Sequence, residues 1–173
     1  MKIEFQIAML LVTLSGCSVN HVNTKSVMPE YIGINAKMSE FHAAMGLAVL
    51  DDIDKITTQR KALASRYSEN LSSVKQISFQ QWHSESDCIG AYMPILLENE
   101  QQVLKMIKLL IAEGIQTRRY FYPSLSKITI YGGHGNTPIS DSVAEKVLCL
   151  PLYTDLTLAD VDEICHHVCT ALT

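Results

Sequence analysis

Four side chains of the kinds that bind zinc lie close together near the end of the chain. Cys165, His166, His167 and Cys169 share one short stretch, and thiolate and imidazole are ligands that zinc prefers. The helical period favours another role for the thiols, because an apolar stripe runs past them. The stripe consists of Val161, Ile164, Cys165, Val168 and Leu172, with Cys169 beside it. We therefore predict no metal site and a final helix over residues 157–171 whose cysteines pack in the core.

A glycine-rich stretch raises the question of phosphate binding. It reads GGHG at residues 132–135, between Pro123 and Pro138. A Walker-type loop also needs a lysine followed by serine or threonine, and a strand that leads directly into it. Neither is found here, so the sequence predicts a surface loop. A cysteine–histidine nucleophile is left open, since no cysteine is singled out by exposure or neighbouring positive charge.

Residues 1–28 are interpreted as a leader, or as a remnant and linker. Residues 7–17 form an apolar run ending in Leu-Ser-Gly-Cys, which resembles a bacterial lipoprotein signal with Cys17 as the lipidated residue. The run is shorter than the roughly 20 residues that span a bilayer, and Glu4 cancels the positive charge of Lys2. The competing interpretation is a remnant of a cytoplasmic protein. The odd number of cysteines, five, fits a reducing cytoplasm better than a disulfide framework.

Composition limits the number of domains and the classes of partner. The chain has 173 residues, of which 47% are hydrophobic and 18% charged, enough for one well-buried core. A net charge of -4 and the lack of a basic run provide no positive field for nucleic acid or an anionic membrane surface. We therefore predict one domain, over residues 29–173, that binds neither nucleic acid nor, unless Cys17 is lipidated, a membrane.

Hydrophobic periodicity predicts the first elements of this domain. Apolar residues at three- and four-residue spacing indicate one long helix that ends near Asn70 and buries one face. That face consists of Phe41, Met45, Val49, Ile53 and Ile56, continued by Leu63 and Tyr67. Strands are predicted over residues 74–79, 88–97 and 115–122. Pro94 indicates that the second strand lies at a sheet edge or contains a bulge.

The remaining elements complete the predicted fold. A helix over residues 102–113, capped by Gly114, separates the second and third strands, as in a crossover within one sheet. A short helix is expected over residues 140–148, and Thr157 is the expected N-cap of the last helix, before Asp160. The predicted fold is α+β: a small antiparallel or mixed three-stranded sheet packed with a long N-terminal helix, a crossover helix and C-terminal helices.

Three ordered blocks of the sequence resemble one enzyme family. The segment GINAKMSEFHAAMG at residues 33–46 resembles the GxNxRMSExxAAxG signature of the sugar-nucleotide aminotransferases, the DegT/DnrJ/EryC1/StrS group. The segment RRYFYP at residues 118–123 is similar to the arginine-aromatic-proline segment of that family, and residues 138–156 resemble its closing helix and strand. The resemblance covers residues 30–172, and three blocks in order are more specific than one motif.

The resemblance implies a pyridoxal-phosphate enzyme of fold type I. Its members move an amino group from glutamate to a keto sugar on a nucleotide, often a dTDP-4-keto-6-deoxyhexose, for polysaccharides such as lipopolysaccharide O-antigen. The family works as a homodimer with active sites at the interface. The cofactor is the electron sink, and the protein supplies a Schiff-base lysine and groups that hold the phosphate.

The resemblance also assigns roles to five residues. Asn35 matches the asparagine that reaches the cofactor phosphate of the neighbouring subunit, although an asparagine here could equally be a helix N-cap. Lys37 replaces the usual arginine and loses its planar fork. Arg118, with Tyr120 and Tyr122 nearby, matches the position that faces the substrate; the alternative is an exposed edge-strand charge with packed aromatic rings. Ser124-Leu125-Ser126 stands where many members have leucine and histidine, so contacts of that histidine do not transfer.

The Schiff-base lysine of the family belongs to a large N-terminal domain, for which this chain has no room. Lys25 lies in a context, HVNTK, that is only weakly similar to that of the catalytic lysine and far too close to the asparagine block. We therefore expect the small C-terminal domain alone, from a truncated gene, with no catalytic residue, no cofactor bound by this chain by itself and a cytoplasmic location. The alternative function is a lipoprotein-like binding or interaction module with a signal peptide ending at Cys17.

Overall fold

The computed structural model describes residues 38–86, 88–131 and 135–172. Five α-helices and three short β-strands form this part of the chain. In order they are α1 (Glu40–Asp51), α2 (Ile53–Leu71), β1 (Ser78–Phe79), β2 (Met93–Leu96), α3 (Glu100–Ala112), α4 (Pro138–Lys146), β3 (Val147–Leu150) and α5 (Leu158–Leu172). Two 3-10 turns, Leu125–Lys127 and Thr129–Tyr131, precede α4. The predicted α+β class is confirmed.

The three strands form one antiparallel sheet in the order β1-β2-β3. The predicted third strand is wrong, because residues 115–122 contribute a single bridge between Arg118 and Cys149. The true third strand is β3, where α4 ends at Lys146, two residues before the predicted end of that helix. All four residues of β3 are buried. An all-apolar VLCL segment tolerates cover on both faces, whereas Arg118 keeps its charged side chain in solvent.

The predicted crossover is formed only in part, because its second strand is reduced to the single bridge between Arg118 and Cys149. β2 and the Arg118 backbone are each antiparallel to β3, so they run parallel to each other with β3 between them. Helix α3 connects them, and the side chain of Asn99 caps its first turn by accepting a hydrogen bond from the Gln102 amide at 3.0 Å. Gly114 ends the connection with φ +75°, which glycine adopts at little cost.

Pro94 lies in the central strand, so the predicted edge or bulge is wrong. It pairs with Cys149 of β3, whose amide donates instead to the Arg118 carbonyl on the far side, at 2.7 Å. The nitrogen of Pro94, which carries no hydrogen, therefore faces the β1 side of the strand. That strand pairs only with Ile95 and Leu96, so no strand partner loses a hydrogen bond at Pro94.

The core lies between one face of the sheet and helices α2, α3 and α5. Its fully buried side chains are Tyr67, Leu71, Ile95, Val103, Met106, Leu110, Leu148, Val161 and Val168. Each such aliphatic side chain contributes about 1.5–3 kcal/mol by leaving water. Val147 and Cys149 alternate with Leu148, so they face the other side of the sheet. Both are buried there as well, and Cys149 lies against the backbone of Tyr120.

The predicted single N-terminal helix is interrupted at Asp52, which divides it into α1 and α2. The prediction of a buried face holds only in the second half of α2, where Leu63 and Tyr67 are in the core, whereas Ile53 at its start is 42% exposed. In α1 no residue is buried, and Phe41 is 60% exposed. No element in the described part of the chain packs on α1 closely enough to bury any of its residues. Ser39 is the N-cap of α1, so the N-cap alternative for Asn35 is wrong for this helix.

Helix α5 is fixed by its cap and by an ion pair. The Thr157 hydroxyl accepts from the Asp160 amide at 3.1 Å, which confirms the predicted N-cap. Arg66 of α2 donates two hydrogen bonds to the Asp162 carboxylate, at 2.7 and 2.8 Å, and Asn70 donates a third. These bonds, that to Arg66 first, lower the pKa of Asp162 to about 2. Among the described helices, none is both long and apolar enough to cross a membrane.

Candidate functional site

The second face of the sheet carries the segment that was predicted to meet the substrate. After α3 the chain returns to β3, where the Arg118 amide donates to the Cys149 carbonyl at 3.1 Å and the Arg118 carbonyl accepts from the Cys149 amide at 2.7 Å. The Tyr120 amide then donates to the Cys149 thiol, whose pKa is nevertheless raised by burial. The segment is thus held by backbone contacts to one residue of β3, whatever its side chains do.

Arg118 itself projects into solvent. Its side chain is exposed and makes no hydrogen bond or ion pair with any residue in the described ranges. A guanidinium in this state retains all five N–H donors for an incoming carboxylate or phosphate. The backbone position is fixed while the charged group is free, which is the arrangement that a binding arginine requires.

Arg119 has the opposite environment. Its side chain is only 14% exposed, and its guanidinium lies 3.0 Å from the Glu100 carboxylate and 3.5 Å above the Tyr122 ring centroid. It also donates to the carbonyls of Ala144 and Glu145 at 3.3 and 3.0 Å, which are the negative end of α4. Adjacent arginines therefore divide into one that is free and one that is bound within the fold.

Tyr122 and Tyr120, both predicted to contact substrate, are placed differently. Tyr122 is 37% exposed and lies under Arg119. A hydrogen bond to Glu100, then burial and the charge of Glu100, raise the pKa of Tyr122, and Arg119 opposes them. The Tyr120 ring packs edge-on against Tyr92 at 5.2 Å and lies 5.3 Å from Phe121. Tyr92, Tyr120 and Phe121 form an exposed surface that we call the aromatic edge.

The serines that stand in place of the family histidine connect the 3-10 turn to α4. The Ser124 hydroxyl is buried and lies 3.2 Å from the hydroxyls of both Ser126 and Ser140. Ser126 donates to the Asp141 carboxylate, and this bond is the largest cause of the lowered pKa of Asp141. Each hydroxyl is used within the cluster, so this part of the segment has a structural role.

The other predicted sites divide into those outside the described residues and those that the structure explains. Asn35, Lys37, Lys25 and Cys17 lie outside the described ranges, as do three of the four residues of the GGHG stretch. Cys165 is in the core, and burial raises its pKa to about 11. No group of histidine, cysteine and carboxylate ligands able to hold a metal occurs in the described part.

Sequence reasoning missed Arg119, Glu100 and Tyr92. Arg119 was present in the quoted RRYFYP segment, but nothing in the pair of arginines distinguishes the free one from the bound one. Glu100 lies 19 positions earlier, in the first turn of α3. A glutamate there is explained by the helix dipole alone, so its contact with Arg119 gave no signal. Tyr92 lies within the predicted strand over residues 88–97, and nothing in its spacing distinguishes it from a strand residue.

Comparison with known proteins gives the family that most of the chain resembles. The model of the DegT/DnrJ/EryC1/StrS aminotransferase family matches residues 4–169. That range includes most of the segment that the lipoprotein alternative treats as a signal peptide, and the comparisons give that alternative no support. The chain is 38% identical over 131 residues to dTDP-4-amino-4,6-dideoxy-D-glucose transaminase from Escherichia coli, covering 72% of this chain and 35% of the relative.

Solved structures agree with the fold. The structure of DesI in the presence of its TDP-sugar product matches with a TM-score of 0.71 and 27% identity, covering 80% of this chain and 37% of that one. A Streptococcus pneumoniae protein in its PLP form matches with a TM-score of 0.69 and 23% identity, covering 78% and 36%. The chain spans about a third of the length of these curated relatives, the E. coli protein and a Shigella dysenteriae protein of the same name. The matched family model and the shared fold show that this chain belongs to the DegT/DnrJ/EryC1/StrS aminotransferase family.

Proposed function

We propose that residues 29–173 form the small domain of a pyridoxal-phosphate-dependent aminotransferase that acts on a nucleotide sugar, with glutamate as the amino donor. One observation carries the proposal: Arg118 is fixed through its backbone to β3 while its guanidinium is exposed and unpaired among the described residues. The E. coli relative is named for a dTDP-linked amino sugar, whose diphosphate is the kind of anion that arginine binds with two parallel hydrogen bonds.

In this proposal Arg118 binds the diphosphate, and the aromatic edge lies beside the rest of the ligand. Tyr120 is 41% and Phe121 71% exposed, so both rings retain surface for a base or sugar. Asn35 and Lys37 are proposed to hold the cofactor phosphate of a neighbouring subunit in a homodimer. We also propose that the protein works in the cytoplasm, in the synthesis of a cell-surface polysaccharide.

Binding of dTDP to the 173-residue chain tests the role of Arg118. We expect Arg118→Met to weaken binding about tenfold, since a hydrogen bond to a charged group contributes roughly 1.5–3 kcal/mol and solvent exposure reduces this. Arg118→Lys should recover part of the loss, because it restores charge without the planar fork. Lys108→Met, which removes an exposed charge on α3, is the matched control. The assay is titration calorimetry with dTDP and with GDP. If Lys108→Met loses as much affinity as Arg118→Met, the assignment is contradicted.

We propose no chemical step for the 173-residue chain by itself. Bound pyridoxal phosphate supplies the electron sink of transamination, but a Schiff-base lysine needs a lowered pKa. No lysine in the described ranges is buried, and a hydrogen bond to Glu145 raises the pKa of Lys127. We expect no visible absorbance band from a lysine-bound cofactor when pyridoxal phosphate is added. A band that borohydride fixes to one lysine and that glutamate removes would refute this part of the proposal.

A further inference from the structure

The bound arginine, Arg119, connects three separate parts of the fold. Its Nη1 atom lies 3.0 Å from Glu100 in the first turn of α3. Its Nη2 atom donates to the last turn of α4, and its face covers the ring of Tyr122 at 3.5 Å. Arg119 therefore joins the segment after Arg118 to both helices, and Tyr122 hydrogen-bonds to the same glutamate.

The contacts of Arg119 affect Arg118 because the two residues are adjacent in the chain. Arg118 is bonded on both its amide and carbonyl to Cys149, and the next side chain is fastened to Glu100. The two residues are thus fixed in different ways: Arg118 through its backbone to β3, and Arg119 through its side chain to α3 and α4. Because the segment is held at both points, the Arg118 side chain leaves the backbone in one fixed direction.

We propose that Arg119 is a positioning residue that keeps the Arg118 side chain and the aromatic edge in the arrangement that binds a nucleoside diphosphate. The inference rests on the proposed function and names a residue that does not itself contact the ligand. Its guanidinium is suited to this role because one planar group serves a carboxylate, two carbonyls and a ring face together, which lysine does not. Its Nε atom is buried without a hydrogen-bond partner among the described residues. The Arg119 side chain is therefore held by the contacts of its Nη atoms and of its guanidinium face.

The experiment compares dTDP binding to the full chain and to Arg119→Met, Arg119→Lys, Arg118→Met and Lys108→Met, at several salt concentrations. A positioning residue acts through preorganisation, so Arg119→Met should raise the dissociation constant about tenfold. It should leave the salt dependence of binding unchanged, because the charge that meets the diphosphate is still present. Arg118→Met should both weaken binding and flatten the salt dependence. Arg119→Lys should bind more weakly than the unaltered chain.

Each outcome decides the inference. If Arg119→Met binds dTDP as tightly as the unaltered chain, Arg119 positions nothing. If Arg119→Met flattens the salt dependence as Arg118→Met does, Arg119 contacts the ligand and the positioning role is wrong. If the unaltered chain binds no dTDP, the proposed function fails, and this inference fails with it. Urea denaturation establishes that each variant is folded; if Arg119→Met is not, Arg119→Lys is judged by the same criteria.

Discussion

Removing the Tyr67 hydroxyl measures how much its hydrogen bond to the chain after β3 contributes to stability. Tyr67 of α2 has no exposed surface, and its hydroxyl donates to the Pro151 carbonyl at 3.0 Å. Tyr67→Phe retains the ring and leaves that carbonyl without this donor, so we expect the free energy of unfolding to fall by about 0.5–1.5 kcal/mol. Tyr67→Ala also removes the ring and leaves a cavity, which costs about 3–5 kcal/mol.

The assay is urea denaturation followed by circular dichroism, with Tyr153→Phe as the control. Tyr153 is 48% exposed, so the loss of its hydroxyl should change stability by less than about 0.5 kcal/mol. The reasoning is refuted if Tyr67→Phe is as stable as the unaltered chain, or if Tyr153→Phe loses as much. A change in the slope with urea, without a change in the midpoint, would indicate an altered unfolded state instead.

The same residue predicts a dependence on alkaline pH. Burial, the largest cause, raises the pKa of Tyr67 in the folded protein, whereas an unfolded tyrosine titrates near 10. Above about pH 10 the unfolded chain therefore loses this proton first, and stability falls as pH rises. Below that pH the contribution is complete. Tyr67→Phe should make the fall above pH 10 less steep, and an unchanged slope would argue against the burial of this phenol.

Three further predictions concern acid, backbone conformation and association. Since Asp162 has its pKa lowered to about 2, its contribution to stability is present above about pH 4 and lost as pH falls toward 2; Asp162→Asn should flatten acid unfolding in that window. Gly114→Ala should destabilise the protein by about 1–3 kcal/mol because the φ of Gly114 is +75°. Gly46→Ala in α1 is the control and should not destabilise it, since no atom lies near the place where a Cβ would be added. Equal effects of the two substitutions in thermal melts would contradict this. The exposed apolar side chains of α1 predict self-association, and Phe41→Glu with Leu47→Glu should shift the elution of the chain toward the monomer on size exclusion, an effect whose absence would exclude α1 as the cause.

Periodicity predicted the helices with a buried stripe and failed where the partner was missing. Helix α5 and its Thr157 cap were predicted correctly because the stripe through Val161 and Val168 has a single apolar side. The stripe of α1 has the same spacing, yet Phe41 is exposed. Spacing reports that a face is apolar, and only the neighbouring elements determine whether that face is covered.

The third strand was misplaced for a related reason. Residues 115–122 have strand-forming residues, but Arg119 is drawn to Glu100 and the chain leaves the sheet after one bridge. Residues 147–150 read equally well as the end of a helix, since a short apolar run fits both periods. The choice depends on whether β2 is available for pairing, and that is a long-range contact.

Sequence by itself determined the family, through three ordered blocks, and the α+β class, through alternation of strand and helix patterns. By resemblance, it also indicated Arg118, Tyr120 and Tyr122 as candidates for substrate contact. Only the tertiary structure separated Arg118 from Arg119, because the difference between them is a carboxylate 19 positions earlier and the carbonyls at the end of α4. Two identical side chains differ in environment when long-range packing gives a partner to one of them and leaves the other in solvent.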